Sequence, residues 1–245
     1  MSATYLFLEV KRLIRNGRFL IFSCVFPVIL FFIESGLYGK DAMVPGRSIT
    51  YGKYLMCSLA AWGALNATMN AGVRISIERS IGWQRQLRLT PLRPWAYLLA
   101  KVTVGMAIAL PPTLFMSVAG LASGVHLSVG GWTQIALGVW IATLPFAVLG
   151  VLLGQVADTK SIQVLLSFGL LILGFVGGLL IPATKFPAWL LDIAKALPSY
   201  WLAEVGHSVF TGNTNLLTTV LNLTGWTITL SIAVSLRYRR DSART

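Results

Sequence analysis

From Val102 to Ala157 the chain carries no Asp, Glu, Lys or Arg, an uncharged run of 56 residues. A helix that crosses a bilayer needs about 20 apolar residues, so this run is too long for one crossing and suits two joined by a turn. The sequence HLSVGGW, His126 to Trp132, supplies that turn, with Gly130-Gly131 as the expected helix breaker. Two spans are therefore predicted, at about 98–124 and 132–155. Composition agrees: 56% of the 245 residues are hydrophobic and 11% charged, whereas a soluble domain carries about 25% charged residues. Too few charges exist to coat a globule of this size, so the solvent around it is lipid.

Four more stretches meet the same length criterion, at about 19–38, 54–74, 161–180 and 216–236. The predicted fold is an all-α membrane protein of six transmembrane helices in one domain, 1–245. An even number of spans places both termini on one side. Fifteen of the twenty basic residues then fall on that side and five on the other, while the eight acidic residues divide equally. The net charges are +11 and +1, and the richer side is cytoplasmic. In a soluble protein the overall charge of +12 would point to nucleic acid, but here it records orientation, so no nucleic-acid partner is expected.

Two segments outside the spans have a pattern of their own. In residues 1–18, Leu6, Val10, Leu13 and Ile14 share one helical face, and Lys11, Arg12, Arg15 and Arg18 the other. This predicts an interfacial amphipathic helix on the inner leaflet. Charges precede an apolar run with no obvious cleavage site, so the start is not read as a signal peptide. Residues 181–215 are too polar to cross and too apolar for a solvated loop. Pro182, Pro187 and Pro198 divide them into short pieces, predicting a re-entrant helical segment on the outer side. Cys24 and Cys57 lie in apolar runs without metal-ligand spacing, so they read as small buried side chains.

The most informative stretch is Glu78 to Lys101, ERSIGWQRQLRLTPLRPWAYLLAK. Arg79, Arg85, Arg88 and Arg93 alternate there with Trp83, Leu87, Leu89 and Leu92, at helix-compatible spacing from Arg79 to Leu89. A positive-inside anchor with an interfacial Trp and a short helix across the cytoplasmic face, facing a partner, both fit this pattern. The run E-R-x-x-G-W-x-x-x-L-R-L-T-P-L, followed by Lys101 at the head of the next span, resembles the signature of permease subunits of type-2 ABC exporters. Gly177 to Trp201, with G-G-L-L-I-P, F-P-x-W-L and A-L-P-S-Y-W, is similar to that family's outer re-entrant segment. The likeness extends over nearly the whole chain, and within the family it is nearest to the short drug and antibiotic self-resistance exporters.

The resemblance implies a division of labour. Residues 78–93 would form the coupling helix, with Glu78, Arg79, Gly82, Trp83, Gln86, Leu89 and Pro91 contacting a separate ATP-binding cassette subunit. In the family, spans 1, 2 and 5 line the cavity at a dimer interface. Phe22 and Phe26 in span 1, Asn66, Met69 and Asn70 in span 2, and Gln163 and Phe168 in span 5 are then the substrate-path candidates. Hydrogen bonding between helices is an equally open use for the amides. Pro182, Phe186, Pro187 and Pro198 are the outer-gate candidates. The expected partners are the ATPase subunit, a second permease copy in a homo- or heterodimer, and the bilayer of a bacterial plasma (inner) membrane.

Several chemistries find no support in the sequence. No G-x-x-x-x-G-K-[ST] occurs, so this chain is expected to bind no cofactor itself, with ATP-Mg on the partner subunit. His126 and His207 are far apart and expected in outer loops as polar interfacial residues, so no metal site and no catalytic residue is predicted. Gly120/Gly124, Gly150/Gly154 and Gly174/Gly178 repeat at one-turn spacing and suit close packing within the bundle, with dimerisation the minority use. The function expected is the membrane-spanning subunit, not itself an enzyme, of an ATP-driven exporter for an amphiphilic drug, lipid or peptide. A secondary transporter and a membrane-embedded lipid-modifying enzyme are the alternatives. The first would need intramembrane ionisable groups and repeats, the second clustered Asp/His/Ser chemistry.

Overall fold

The computed structural model describes residues 17, 21–82, 94–212 and 216–243, with the side chains of 22, 94–96 and 241–243 outside that set. The described residues are helical apart from turns and one isolated β-bridge, Met43 to Thr50. A π turn, Ile21–Val25, leads into α1, Phe26–Tyr38. Next come α2, Tyr51–Ser80, and α3, Pro94–Ala122. The element α4, Val129–Val156, contains a π turn at Gln134–Gly138 and a break at Thr143. The remaining helices are α5, Ile162–Val176; α6, Ala188–Ala196; α7, Pro198–Thr211; and α8, Leu216–Ala243.

Three stretches are long and apolar enough to cross a membrane: Tyr97–Ala122, Val129–Val156 and Leu216–Arg240. Ser23–Tyr38 and Ile162–Val176 are shorter apolar helices. The longest helix, α2, is not among either group, and its position explains why. It packs against α1, α3, α4, α5 and α7, and every residue from Tyr54 to Met69 is buried. A helix enclosed by other helices tolerates Ser58, Asn66 and Thr68, because its neighbours, not lipid, surround it. By contrast only 17% of the most apolar stretch of α8 is buried; it packs mainly on α4 and α7, and Trp226 Nε1 donates to the Ala196 carbonyl at the end of α6 at 3.1 Å. Exposed Ile29, Phe32, Ile33 and Leu37 on α1, and Val164, Phe168, Leu171 and Ile172 on α5, give the exterior the apolar character of a lipid-facing surface.

The α2 helix and the second half of α4 approach each other backbone to backbone. A Cβ added at Gly150 would lie 2.9 Å from the Met69 carbonyl oxygen, and one at Gly154 would lie 2.9 Å from the Ile75 Cβ. One at Gly72 would run into the Gly150 backbone. The Gly150/Gly154 pair thus serves packing inside the chain. Gly124 and Gly178, from the other two pairs, have φ of +82° and +77° and end their helices instead.

Three boundaries depart from the sequence reading. Gly130-Gly131 does not break a helix: Ser128 Oγ accepts the Gly131 N–H at 3.1 Å, capping α4, so both glycines fall in its first turn. The chain reverses earlier, after Gly124. The expected single helix over 78–93 is not continuous either. Glu78 and Arg79 belong to the last turn of α2, which ends at Ile81-Gly82, where Gly82 has φ +73°. Span 5 ends at Val176, because Leu179 and Leu180 return their N–H groups to the Gly174 carbonyl. The expected interfacial helix 1–18 lies outside the described residues, Gly17 excepted.

Candidate functional site

Five of the candidates, Asn66, Met69, Asn70, Glu78 and Arg79, lie on α2, which carries polar clusters at both ends and amides in its middle. At the Glu78 end, the carboxylate receives Lys101 Nζ at 2.5 Å on one oxygen and the Tyr97 hydroxyl at 2.5 Å on the other. Lys101 is 2% exposed, so its ammonium is buried with its counter-charge. Tyr97 and Lys101 are one turn apart on α3, and Lys101 Nζ also lies 5.5 Å from the Tyr97 ring centroid. Arg79 reaches the other way and donates to the carbonyls of Gln155 and Gly154. Those are among the last carbonyls of α4, where a cation complements the helix dipole. One turn back, Ser76 Oγ donates to the Ala157 carbonyl at 3.1 Å.

In the middle of α2, Asn66 and Asn70 are bonded to each other, with Asn70 Nδ2 donating to Asn66 Oδ1 at 2.5 Å and to the Asn66 carbonyl at 2.8 Å. Met69 is fully buried, its thioether methyl 3.6 Å from where a Cβ at Gly169 of α5 would stand. Phe26 of α1 lies against Trp62 of α2, ring centroids 5.5 Å apart. Gln163 and Phe168 are exposed on α5. The structure therefore unites the two asparagines and sets Met69 against α5, while Gln163 and Phe168 face outward. Sequence reasoning passed over Trp62, a buried indole whose Nε1 has no hydrogen-bond partner among the described residues. The Phe22 side chain lies outside the described residues, as do Trp83, Gln86, Leu89 and Pro91.

At the far end, α7 packs on α2 and α6 packs on α7, while a 3-10 turn, Ala183–Lys185, brings Lys185 to Tyr38 at the end of α1. The outer-gate prolines start these pieces: Pro182 precedes the turn, Pro187 precedes α6, and Pro198 opens α7, where a missing N–H costs nothing. Pro182 and Pro198 are buried, Phe186 is half-buried and Pro187 exposed. Beneath them is a buried polar cluster. The His207 ring of α7 stacks on Tyr54 of α2 at 4.0 Å; its Nε2 lies 3.0 Å from Ser58 Oγ, and its Nδ1 lies 3.4 Å from Glu204 Oε1. Arg47 Nη2 donates to the same carboxylate oxygen at 2.7 Å. Lys185 Nζ sits 4.1 Å from the Tyr38 ring centroid, and Tyr38 stacks on Tyr51 at 5.0 Å.

His207 is thus a fully buried group and not the interfacial residue the sequence suggested. It lies within α7, whose Gly206 faces Cys57 so closely that a Cβ there would be 2.8 Å from the Cys57 Cβ. The order Ser58, His207, Glu204 resembles a hydrolytic triad, but Ser58 and His207 have no exposed surface. His126 is exposed in the connection between α3 and α4. Cys24 and Cys57 are buried free thiols, and no cluster of metal-ligating side chains occurs among the described residues.

The described helices thus form an apolar-surfaced bundle around α2, whose two ends are polar. Comparison with known sequences decides the family: residues 4–210 match the family described as "ABC-2 type transporter". The chain belongs to the ABC-2 type transporter family. A relative from Bacillus subtilis (strain 168), named "Putative transport permease YvfS", is 28% identical over 195 residues, covering 78% of each chain. ABC-2 permeases are membrane subunits of ABC transporters and work with a separate ATP-binding subunit. The family match spans all three places on α2, from the Glu78 root to the His207 cluster.

Proposed function

We propose that this chain is the membrane-spanning subunit of an ATP-driven exporter, paired with a second permease copy and driven by two ATP-binding subunits on the cytoplasmic face. The observation that carries the reading is the ABC-2 match over residues 4–210. Six crossings follow if α1 with its preceding turn, α2, α3, α4, α5 and α8 each traverse the bilayer, with α6 and α7 as the outer re-entrant segment. The charge asymmetry supports cytoplasmic termini and, with them, the Glu78 end of α2 on the inner side. The cargo class is an amphiphilic drug, lipid or peptide. It would pass between α1, α2 and α5, where Phe26, Trp62, Asn66 and Asn70 offer aromatic faces and amides.

The test is co-purification with a candidate ATP-binding subunit, followed by ATP hydrolysis with and without candidate cargo in proteoliposomes. A stable complex whose hydrolysis rises with one compound class is expected. Absence of any ATPase in the complex would sink the proposal. Within such a complex, Leu89→Glu is expected to leave membrane insertion intact and reduce transport per ATP at least about tenfold, since uncoupling by a few kcal/mol has that size. Unchanged coupling would remove Leu89 from the contact.

A further inference from the structure

Glu78 and Arg79 sit in the stretch assigned to the ATPase contact, yet both side chains are engaged inside the chain. Glu78 holds α3 through Lys101 and Tyr97, and Arg79 holds the end of α4 through the Gln155 and Gly154 carbonyls. The second contact continues a line along α2. Gly72 lies on Gly150 and Gly154, Ser76 bonds the Ala157 carbonyl one turn later, and Arg79 follows after another. The ends of α2, α3 and α4 are therefore fastened together where the 78–93 segment leaves α2.

The chemistry of the first contact suits a rigid joint. Lys101 is buried, and moving it away from Glu78 would break a close ion pair in a low-dielectric setting. Both carboxylate oxygens are taken at 2.5 Å, so Glu78 cannot turn without losing a charged partner or a hydroxyl. The joint links the last turn of α2 to the second turn of α3, 23 positions later in sequence. Any displacement of the intervening segment thus reaches both helices at once.

We infer that Glu78, Tyr97 and Lys101 form a positioning clasp that converts movement of the 78–93 segment into a joint movement of α2, α3 and the end of α4, with Arg79 as its second arm. This rests on the exporter reading above. The three residues touch neither cargo nor nucleotide; they determine whether a push from the motor moves the bundle or only bends its edge. Slack at the clasp would let ATP be hydrolysed without transport.

The test uses the complete permease–ATPase complex in proteoliposomes, measuring co-purification, ATP hydrolysis and transport separately. Glu78→Gln keeps the size of the side chain but removes the charge. In the assembled complex, transport per ATP is expected to fall about tenfold, within the usual range of coupling between sites. The reciprocal exchange Glu78→Lys with Lys101→Glu restores an ion pair and is expected to recover the ratio to within about threefold. Tyr97→Phe deletes one hydroxyl without stranding a charge, and about a threefold fall in the ratio is expected from loss of a charge-assisted bond. If Glu78→Gln fails to assemble, Tyr97→Phe decides alone. An intact complex with parental transport per ATP in Tyr97→Phe, or in Glu78→Gln, overturns the clasp. A parental chain that binds no ATPase overturns the exporter reading instead.

Discussion

Gly72→Leu is expected to prevent accumulation of folded protein, while Gly225→Leu leaves it unchanged. The two glycines lie in helices of similar length, α2 and α8, and differ in what surrounds them. A Cβ at Gly72 meets the carbonyl group and Cα of Gly150, whereas one at Gly225 meets nothing within 4 Å. Backbone atoms cannot rotate away as a side chain end can, so α4 would have to shift as a body. Overpacking of ordinary cores costs about 1–3 kcal/mol, and moving a helix off its partner along Gly72, Gly150 and Gly154 should exceed about 3 kcal/mol. Gly225→Leu on an open helix face should stay within about 0.5 kcal/mol. Size-exclusion profiles and thermal melts of detergent-solubilised protein separate the outcomes. A Gly72→Leu variant that melts with the parent would show that the two helices are not in backbone contact.

That prediction draws on a feature only half legible in the sequence. The one-turn spacing of Gly150 and Gly154 announced close packing, but nothing local named Gly72 as the partner, about 80 positions away. The same limit explains the other gaps. Charge-free length revealed α3 and α4 at once, because a bilayer crossing is a one-dimensional property of the chain. The hub character of α2 was hidden, since Ser58, Asn66 and Thr68 lower its hydropathy and only their burial shows that protein surrounds them. Gly130-Gly131 misled because a cap at Ser128 outweighs glycine's poor helix propensity in a first turn. Gly82, read as a motif residue inside a helix, ends one by its left-handed conformation. At the outer cluster, Ser58 and His207 are 149 positions apart and Arg47 and Glu204 are 157 apart, so no spacing pattern could join them.

That outer cluster carries the second large expectation. Glu204 binds Arg47 at 2.7 Å and lies 3.4 Å from His207, linking the loop before α2 to α7. Burial pushes its carboxyl up, but the hydrogen bond and charge of His207, and then those of Arg47, outweigh burial and hold it at about 2. A free glutamate titrates near about 4.3. A carboxyl depressed in the folded state contributes stability that is fully present above the unfolded value and is lost as pH falls through the folded one. The window is therefore from about 4.3 down to about 2, and the contribution at neutral pH is on the order of 3 kcal/mol. Glu204→Gln should lower the melting temperature at pH 7, and its gap to the parent should narrow steadily as pH falls through that window. Because the loss is local to the covering segment, hydrogen exchange or protease cleavage at α6 and α7 should rise before the rest of the bundle opens. Equal melting of parent and variant at pH 7 would mean that Arg47 finds another counter-charge and that Glu204 does not fasten α7. A gap that persists unchanged at pH 2 would assign the loss to packing, since by then the parent carboxyl is no longer fully charged.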